Sequence, residues 1–217
     1  MGTQTAQANA GFFVDKYLAE TTETARGKFK KLAALHEKYR KRARLSASLE
    51  AEAYVVHLVL DSLKLLELAP PGPAERLADV GSGGGYPGLP LAIVREDLEI
   101  TLIEPSPHKA EYLRLAAAEL ELGNVAVAAR PAEEVAASGF DVACSKALAR
   151  ADAALKLLLP LVEAGGRAVL FLGDVTEERL TDLDAEARAA GGRLANIHKY
   201  NLPTLAKPRA LVEVSKD

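Results

Sequence analysis

Apolar positions in the first third of the chain recur at helical spacing. Phe29, Leu32, Leu35 with His36, and Tyr39 fall on one stripe with lysines and arginines between them. Leu49, Ala53, Val56, Leu60 and Leu63 mark a second. The run APPGPAER (69–76) ends this pattern, because three prolines and a glycine cannot continue a helix. A boundary is expected there, between a basic helical extension, 1–68, and a main domain, 69–217.

Past that break, short apolar runs alternate with helical ones. RLADVG (76–81), EITLIE (99–104), VAVAA (125–129), DVACSKA (141–147) and RAVLFLG (167–173) read as strands. Helical patterns over 87–95, 107–122, 151–163 and 176–190 separate them, the first opened by Pro87. The last two runs, 193–202 and 209–216, follow each other with no helix between. This order predicts an α/β fold with a mostly parallel, seven-stranded sheet, helices on both faces and an antiparallel edge.

Composition narrows the class. Of 217 residues, 49% are hydrophobic and 26% charged, as in an ordinary globular domain, and every apolar run is too short to span a membrane. The first ten residues lack the features of a signal peptide and read as an unstructured start. Cys144 is the single cysteine, which excludes an internal disulfide and fits a cytoplasmic protein. His36, His57, His108 and His198 do not fall at metal-ligand spacing, so no metal is expected. Charge is unevenly spread: residues 1–66 hold 11 Lys/Arg against 7 Asp/Glu (+4), leaving 16 against 23 (−7) in the rest. Nine basic residues lie between Arg26 and Arg44 with only Glu37 opposing them. The run reads either as a solvated helix face or as a footprint for a polyanion.

The stretch DVGSGGGYPGLPLAIV (79–94) carries the chemistry. Gly81, Gly83 and Gly85 follow the first strand, where ligands of open α/β sheets bind, and lack of Cβ lets a ligand lie against the backbone. Glu104, ending the second strand, is placed to hold a ribose. A dinucleotide fingerprint would need glycine where Tyr86 stands. The order G-x-G-x-G after Asp79, with the acidic turn AEEV (132–135) after the third strand, favours S-adenosylmethionine over a nicotinamide cofactor. The segment after the fourth strand reads ACSKALA, without the Asn/Asp-Pro-Pro-aromatic motif of adenine-N6 transfer. Cys144 lacks the proton-handling partner of a cytosine-C5 nucleophile and reads as a packed apolar residue.

These residues together resemble one family. DVGSGGGYPGLPLAIV followed by TLIE and the lysine and YL of the next helix is similar to the bacterial 16S ribosomal RNA guanine-N7 methyltransferases, the glucose-inhibited division protein B family. LDSL (60–63), FDVACSKALA (140–149) and LLLPLVEAGGRAVLFLG (157–173) extend the likeness over roughly 44–217. The chain departs from the pattern at Arg44, where the family has asparagine, and at Leu58, where its histidine has moved to His57. Lys146 replaces an arginine and Leu172 a lysine. The resemblance implies a Rossmann-like class I methyltransferase moving a methyl group from S-adenosylmethionine to guanine N7, a lone pair that needs no general base. The cofactor would be held by Asp79, Gly81, Ser82, Gly83, Gly85, Tyr86, Glu104, Pro105, Ala132, Glu133 and Lys146. Asp61 and Ser62 would orient the upstream helix over it, with no residue assigned a catalytic role. Lys38, Arg40, Lys41, Arg42, Arg44 and Arg209 would meet RNA. The expected partner is ribosomal RNA or the small subunit, and the expected state a monomer without a membrane or metal. The alternatives are a methyltransferase of this fold acting on another RNA or a small molecule, and a non-catalytic S-adenosylmethionine- or RNA-binding paralogue.

Overall fold

The computed structural model describes residues 2–45, 50–136, 139–146 and 150–216; Leu49 of the second expected stripe and Ala147 of the fourth expected strand lie outside them. One seven-stranded sheet forms the centre. Its strands are β1 (Arg76–Val80), β2 (Glu99–Ile103), β3 (Val125–Ala128), β4 (Phe140–Lys146), β5 (Val162–Leu172), β6 (Gly192–Tyr200) and β7 (Arg209–Lys216). Their order is β3-β2-β1-β4-β5-β7-β6, with β7 antiparallel to both neighbours and the other pairs parallel. The chain winds outward from β1 to β3 and returns beside β1 with β4. A crevice therefore opens at the carboxyl ends of β1 and β4.

Alternation along the strands gives each face its own core. Leu77, Ile100, Leu102, Val142, Cys144 and Val169 point to one side, and Ala78, Val80, Ile103, Ala143, Ala168 and Leu170 to the other. The first side is covered by α1 (Gly2–Tyr17), α2 (Glu23–Tyr39), α3 (Ala51–Tyr54), α4 (Asp61–Leu68), α5 (Gly88–Val94) and α6 (Pro107–Glu119). On the second lie α7 (Ala151–Leu158) and α8 (Glu177–Ala189). Phe29 and Leu32 of α2 share a continuous apolar cluster with Leu89 of α5 and Leu113 of α6. Cys144 is a free, fully buried thiol in that cluster, and burial pushes its pKa well up.

Four expectations need correction. The unstructured start is instead the first part of α1, which buries Ala10 and Val14 against the helical layer. The second helix does not keep one period: α3 runs into a π-helical turn, Val55–Leu60, and then α4. That turn widens the helix, so Tyr54, Val55, Val56, Val59, Ser62 and Leu65 are buried while Ala53, Leu60 and Leu63 are half-buried. The helix expected over 151–163 stops at Leu158 and tightens into a 3₁₀ turn, Leu159–Leu161, around a proline that lacks a donor. β5 starts at Val162, because the glycine pair that resembles a turn is instead part of a strand with a register shift opposite Phe140 and Val142.

Candidate functional site

The loop after β1 is tied down by its own backbone. Gly81 and Ser82 donate to the Ile103 carbonyl at 2.9 and 3.2 Å, and Gly85 donates to Ser82 at 2.7 Å. Asp79 is fully buried; its Oδ2 accepts the Gly88 N–H at 2.9 Å, and the Ser82 hydroxyl donates to its carbonyl at 2.8 Å. Burial raises the Asp79 pKa to about 7, against the pull of the Gly88 and Ser82 hydrogen bonds. Its Oδ1 is buried without a partner.

The glycines differ in what they do. A Cβ on Gly88 would stand 2.2 Å from Leu102 and 2.9 Å from Asp79, and one on Gly85 2.3 Å from Leu89. Those two allow helix and strand to close. Gly83, at φ +55°, has only the Gly81 carbonyl within reach, at 3.7 Å. Its bare side faces open space, as a cofactor cradle requires. Glu104 closes the cradle: its Oε2 accepts the Gly83 N–H and its Oε1 the Ser106 N–H, both at 2.9 Å. A carboxylate has about four acceptor positions, so lone pairs remain for two ribose hydroxyls. Exposed Pro105 follows, and the 3₁₀ turn Ala132–Glu134 places buried Ala132 and exposed Glu133 beyond β3. The open face at Gly83, the unpartnered Asp79 oxygen and the anchored Glu104 fit S-adenosylmethionine. Gly88 escaped the sequence reading; its signal was the proline on either side of the GL pair.

Three expected cofactor or RNA residues make side-chain contacts within the chain. Tyr86 is buried with its hydroxyl on that of Tyr54 and its ring edge-on to Tyr54 and His36, so its side chain packs against the helical layer. His36 is itself buried, which lowers its pKa to about 4 and keeps it neutral. Lys146 pairs with Asp61 Oδ2 at 2.9 Å and donates to the His57 carbonyl at 2.7 Å. Arg209 turns inward to Asp61 Oδ1 at 3.1 Å, an oxygen that also accepts from the Tyr200 hydroxyl at 2.6 Å. Ser62 donates to the Leu58 carbonyl within its own helix, so it braces that helix.

The basic run is partly neutralised within the chain. Lys30 pairs with Asp15 at 2.7 Å, Lys31 with Glu119 at 2.9 Å and Arg40 with Glu37 at 2.9 Å. Arg42 reaches Glu111 at 3.6 Å but is 75% exposed, so water and salt weaken that pair. Lys38 lies over the Tyr39 ring, and Lys41 and Arg44 are exposed in the turn beyond α2. Lys38, Lys41, Arg42 and Arg44 thus form an accessible basic corner. Among the described residues no group of His, Cys, Asp and Glu is arranged to hold a metal ion, and no helix is long and apolar enough to cross a membrane.

Comparison with known proteins agrees with this geometry. The family described as rRNA small subunit methyltransferase G matches residues 26–207. A ribosomal RNA small subunit methyltransferase G of Clostridium botulinum (strain 657 / Type Ba4) is 29% identical over 187 residues, covering 84% of this chain and 78% of that protein. The protein of the same name from Rubrobacter xylanophilus is 35% identical over 184 residues, covering 81% and 70%. Among solved structures, M. jannaschii TYW2 in complex with AdoMet superposes with a TM-score of 0.58 at 15% identity, covering 73% of this chain and 76% of that one, and supports the Rossmann-like class I methyltransferase fold. The match over most of the chain, on a sheet with the glycine loop at its switch point, shows that the chain belongs to the rRNA small subunit methyltransferase G family.

Proposed function

We propose that this enzyme methylates N7 of a guanine in 16S ribosomal RNA, with S-adenosylmethionine as donor. The observation that carries the reading is the cradle at Gly83 and Glu104, set at the switch point of the family's sheet. Gly83 would admit the cofactor against bare backbone, Glu104 would hold its ribose hydroxyls, and Ala132 with Glu133 would flank its base. When bound, S-adenosylmethionine would supply a sulfonium methyl group to the in-plane N7 lone pair, the carbon–sulfur electron pair remaining on sulfur and the positive charge ending on the guanine ring. N7 carries no proton, so no residue need act as a base. The protein's work is to hold the guanine in line with the methyl group and exclude water. Lys38, Lys41, Arg42 and Arg44 engage phosphates, which positions the RNA without reading its sequence. The extension 1–68 carries that surface, and the enzyme acts as a cytoplasmic monomer.

The test is incubation with methyl-labelled S-adenosylmethionine and small-subunit RNA, both naked and as assembled subunits lacking the modification. Label is expected in small-subunit RNA and not in large-subunit RNA. Tight cofactor binding without transfer to any RNA would contradict the proposal.

A further inference from the structure

Two unusual pieces of backbone meet at one hydrogen bond. Val55–Leu60 is a π-helical turn, a rare form that gathers at functional sites. Thr204, in the loop between β6 and β7, has φ +68°, a left-handed conformation that a β-branched residue adopts only under strain. His57 Nε2 and Thr204 Oγ1 lie 3.3 Å apart.

Beneath this contact is the buried charge cluster. Asp61 is 0% exposed and faces two cations, Lys146 and Arg209, together with the Tyr200 hydroxyl. Lys146 also reaches two carbonyls of the π-turn, His57 at 2.7 Å and Leu58 at 3.4 Å. All of this sits on the ligand side of the sheet. Lys146 ends β4, two residues beyond the Cys144 that pairs with Asp79 of β1. Tyr200 and Arg209 pair with each other beside the end of β5, where Leu172 meets Ala210. Buried ion pairs and strained backbone are weak devices for stability alone.

We propose that the π-turn with His57 and the β6–β7 loop with Thr204 form the lip that receives the target guanine, with Lys146 and Asp61 as positioning residues that hold it over the carboxyl ends of β4 and β5. The proposal rests on the guanine-N7 reading above. Guanine presents O6 and N7 as acceptors on one edge, and adenine presents an amino donor in place of O6. With N7 left open to the methyl group, O6 is free for a donor from His57 or Thr204. Burial lowers the His57 pKa, with Arg209 and Lys146 adding to it and Asp61 opposing. A neutral imidazole puts no further cation beside a ring that becomes positive on methylation.

The experiment measures steady-state transfer to small-subunit RNA by wild type, His57→Ala, Thr204→Gly, Lys146→Met and Lys146→Arg. Calorimetry with S-adenosylhomocysteine and thermal melting accompany each. His57→Ala should lower kcat/KM for RNA by about 10-fold or more, with cofactor affinity within about 2-fold of wild type, and Lys146→Met should lower it to a similar degree. Lys146→Arg should recover most of the activity. Thr204→Gly relieves the strain, so it should melt no lower than wild type and yet lose activity, which a purely structural loop would not do. In Lys146→Met, Asp61 keeps Arg209 and Tyr200, and His57→Ala is a half-buried site should the former fail to fold. Folded variants with wild-type kcat/KM would overturn the lip while leaving the guanine-N7 reading intact. A parallel loss of cofactor affinity would assign the cluster to the cofactor and also overturn it. A wild-type protein that labels no RNA would remove the underlying reading and the lip with it.

Discussion

Gly83, in the loop after β1, and Gly88, at the start of α5, predict opposite outcomes. At Gly83 a side chain enters the open face, so Gly83→Val should weaken cofactor binding ~100-fold while the protein stays folded, apart from a left-handed backbone cost of about 1–2 kcal/mol. At Gly88 a Cβ would meet Leu102 at 2.2 Å, so Gly88→Val should lower stability by about 1–3 kcal/mol or more through overpacking. Calorimetry and circular dichroism melting on the pair separate the two; unchanged affinity in folded Gly83→Val would contradict the cradle. Glu104→Ala should weaken cofactor binding by about 1–3 kcal/mol, the scale of lost charge-assisted hydrogen bonds. Asp79 adds a pH signature. Its pKa is about 7 folded against an ordinary 3.8, so the folded state binds the extra proton between those values and stability falls as pH rises through that window. Asp79→Asn removes this slope. Melting from pH 5 to pH 8 should therefore favour the variant progressively, and parallel curves would show that the carboxyl is already ionised. Gly83, Asp79 and Glu104 were legible in the sequence because strand ends fix their positions. The inward turn of Lys146 and Arg209 was not, because it depends on Asp61 arriving from a helix far away in the chain.

At the scale of elements, alternation and helical spacing gave the order of strands and helices. The π-turn stayed hidden, since a single widened turn leaves no periodic trace in VVHLVL, where five of six residues are apolar. The length of β5 was hidden by a glycine pair that resembles a turn but lies within the strand. The charge run of α2 was visible, though not its partners Asp15 and Glu119, because those come from α1 and α6. What remains accessible should still govern RNA affinity. Each neutralised phosphate contributes about 0.9 to the slope of log affinity against log salt, so replacing Lys38, Arg40, Lys41 and Arg42 together by glutamine should flatten it by about 2–4. Arg40, held by Glu37 at 2.9 Å, is expected to add least. Cofactor affinity should not change. An unchanged slope would mean that the run serves the chain's own acidic surface.

For the whole molecule, the fold was legible because an alternating β/α pattern with one glycine loop admits few arrangements. The substrate rim was less so, since it is assembled from the π-turn, the end of β4 and the β6–β7 loop, which are remote from one another in the chain. In the function proposed above, the methyl group goes to guanine N7 in small-subunit RNA. Methylation there fixes a positive charge on the imidazole ring, so mild reduction followed by aniline breaks the chain at that nucleotide. After treatment of unmodified small subunits with the enzyme and S-adenosylmethionine, one dominant cleavage is expected in the small-subunit RNA, absent when Gly83→Val replaces wild type. Methyl label that enters the RNA but resists aniline cleavage would place the methyl group on another atom and contradict transfer to guanine N7.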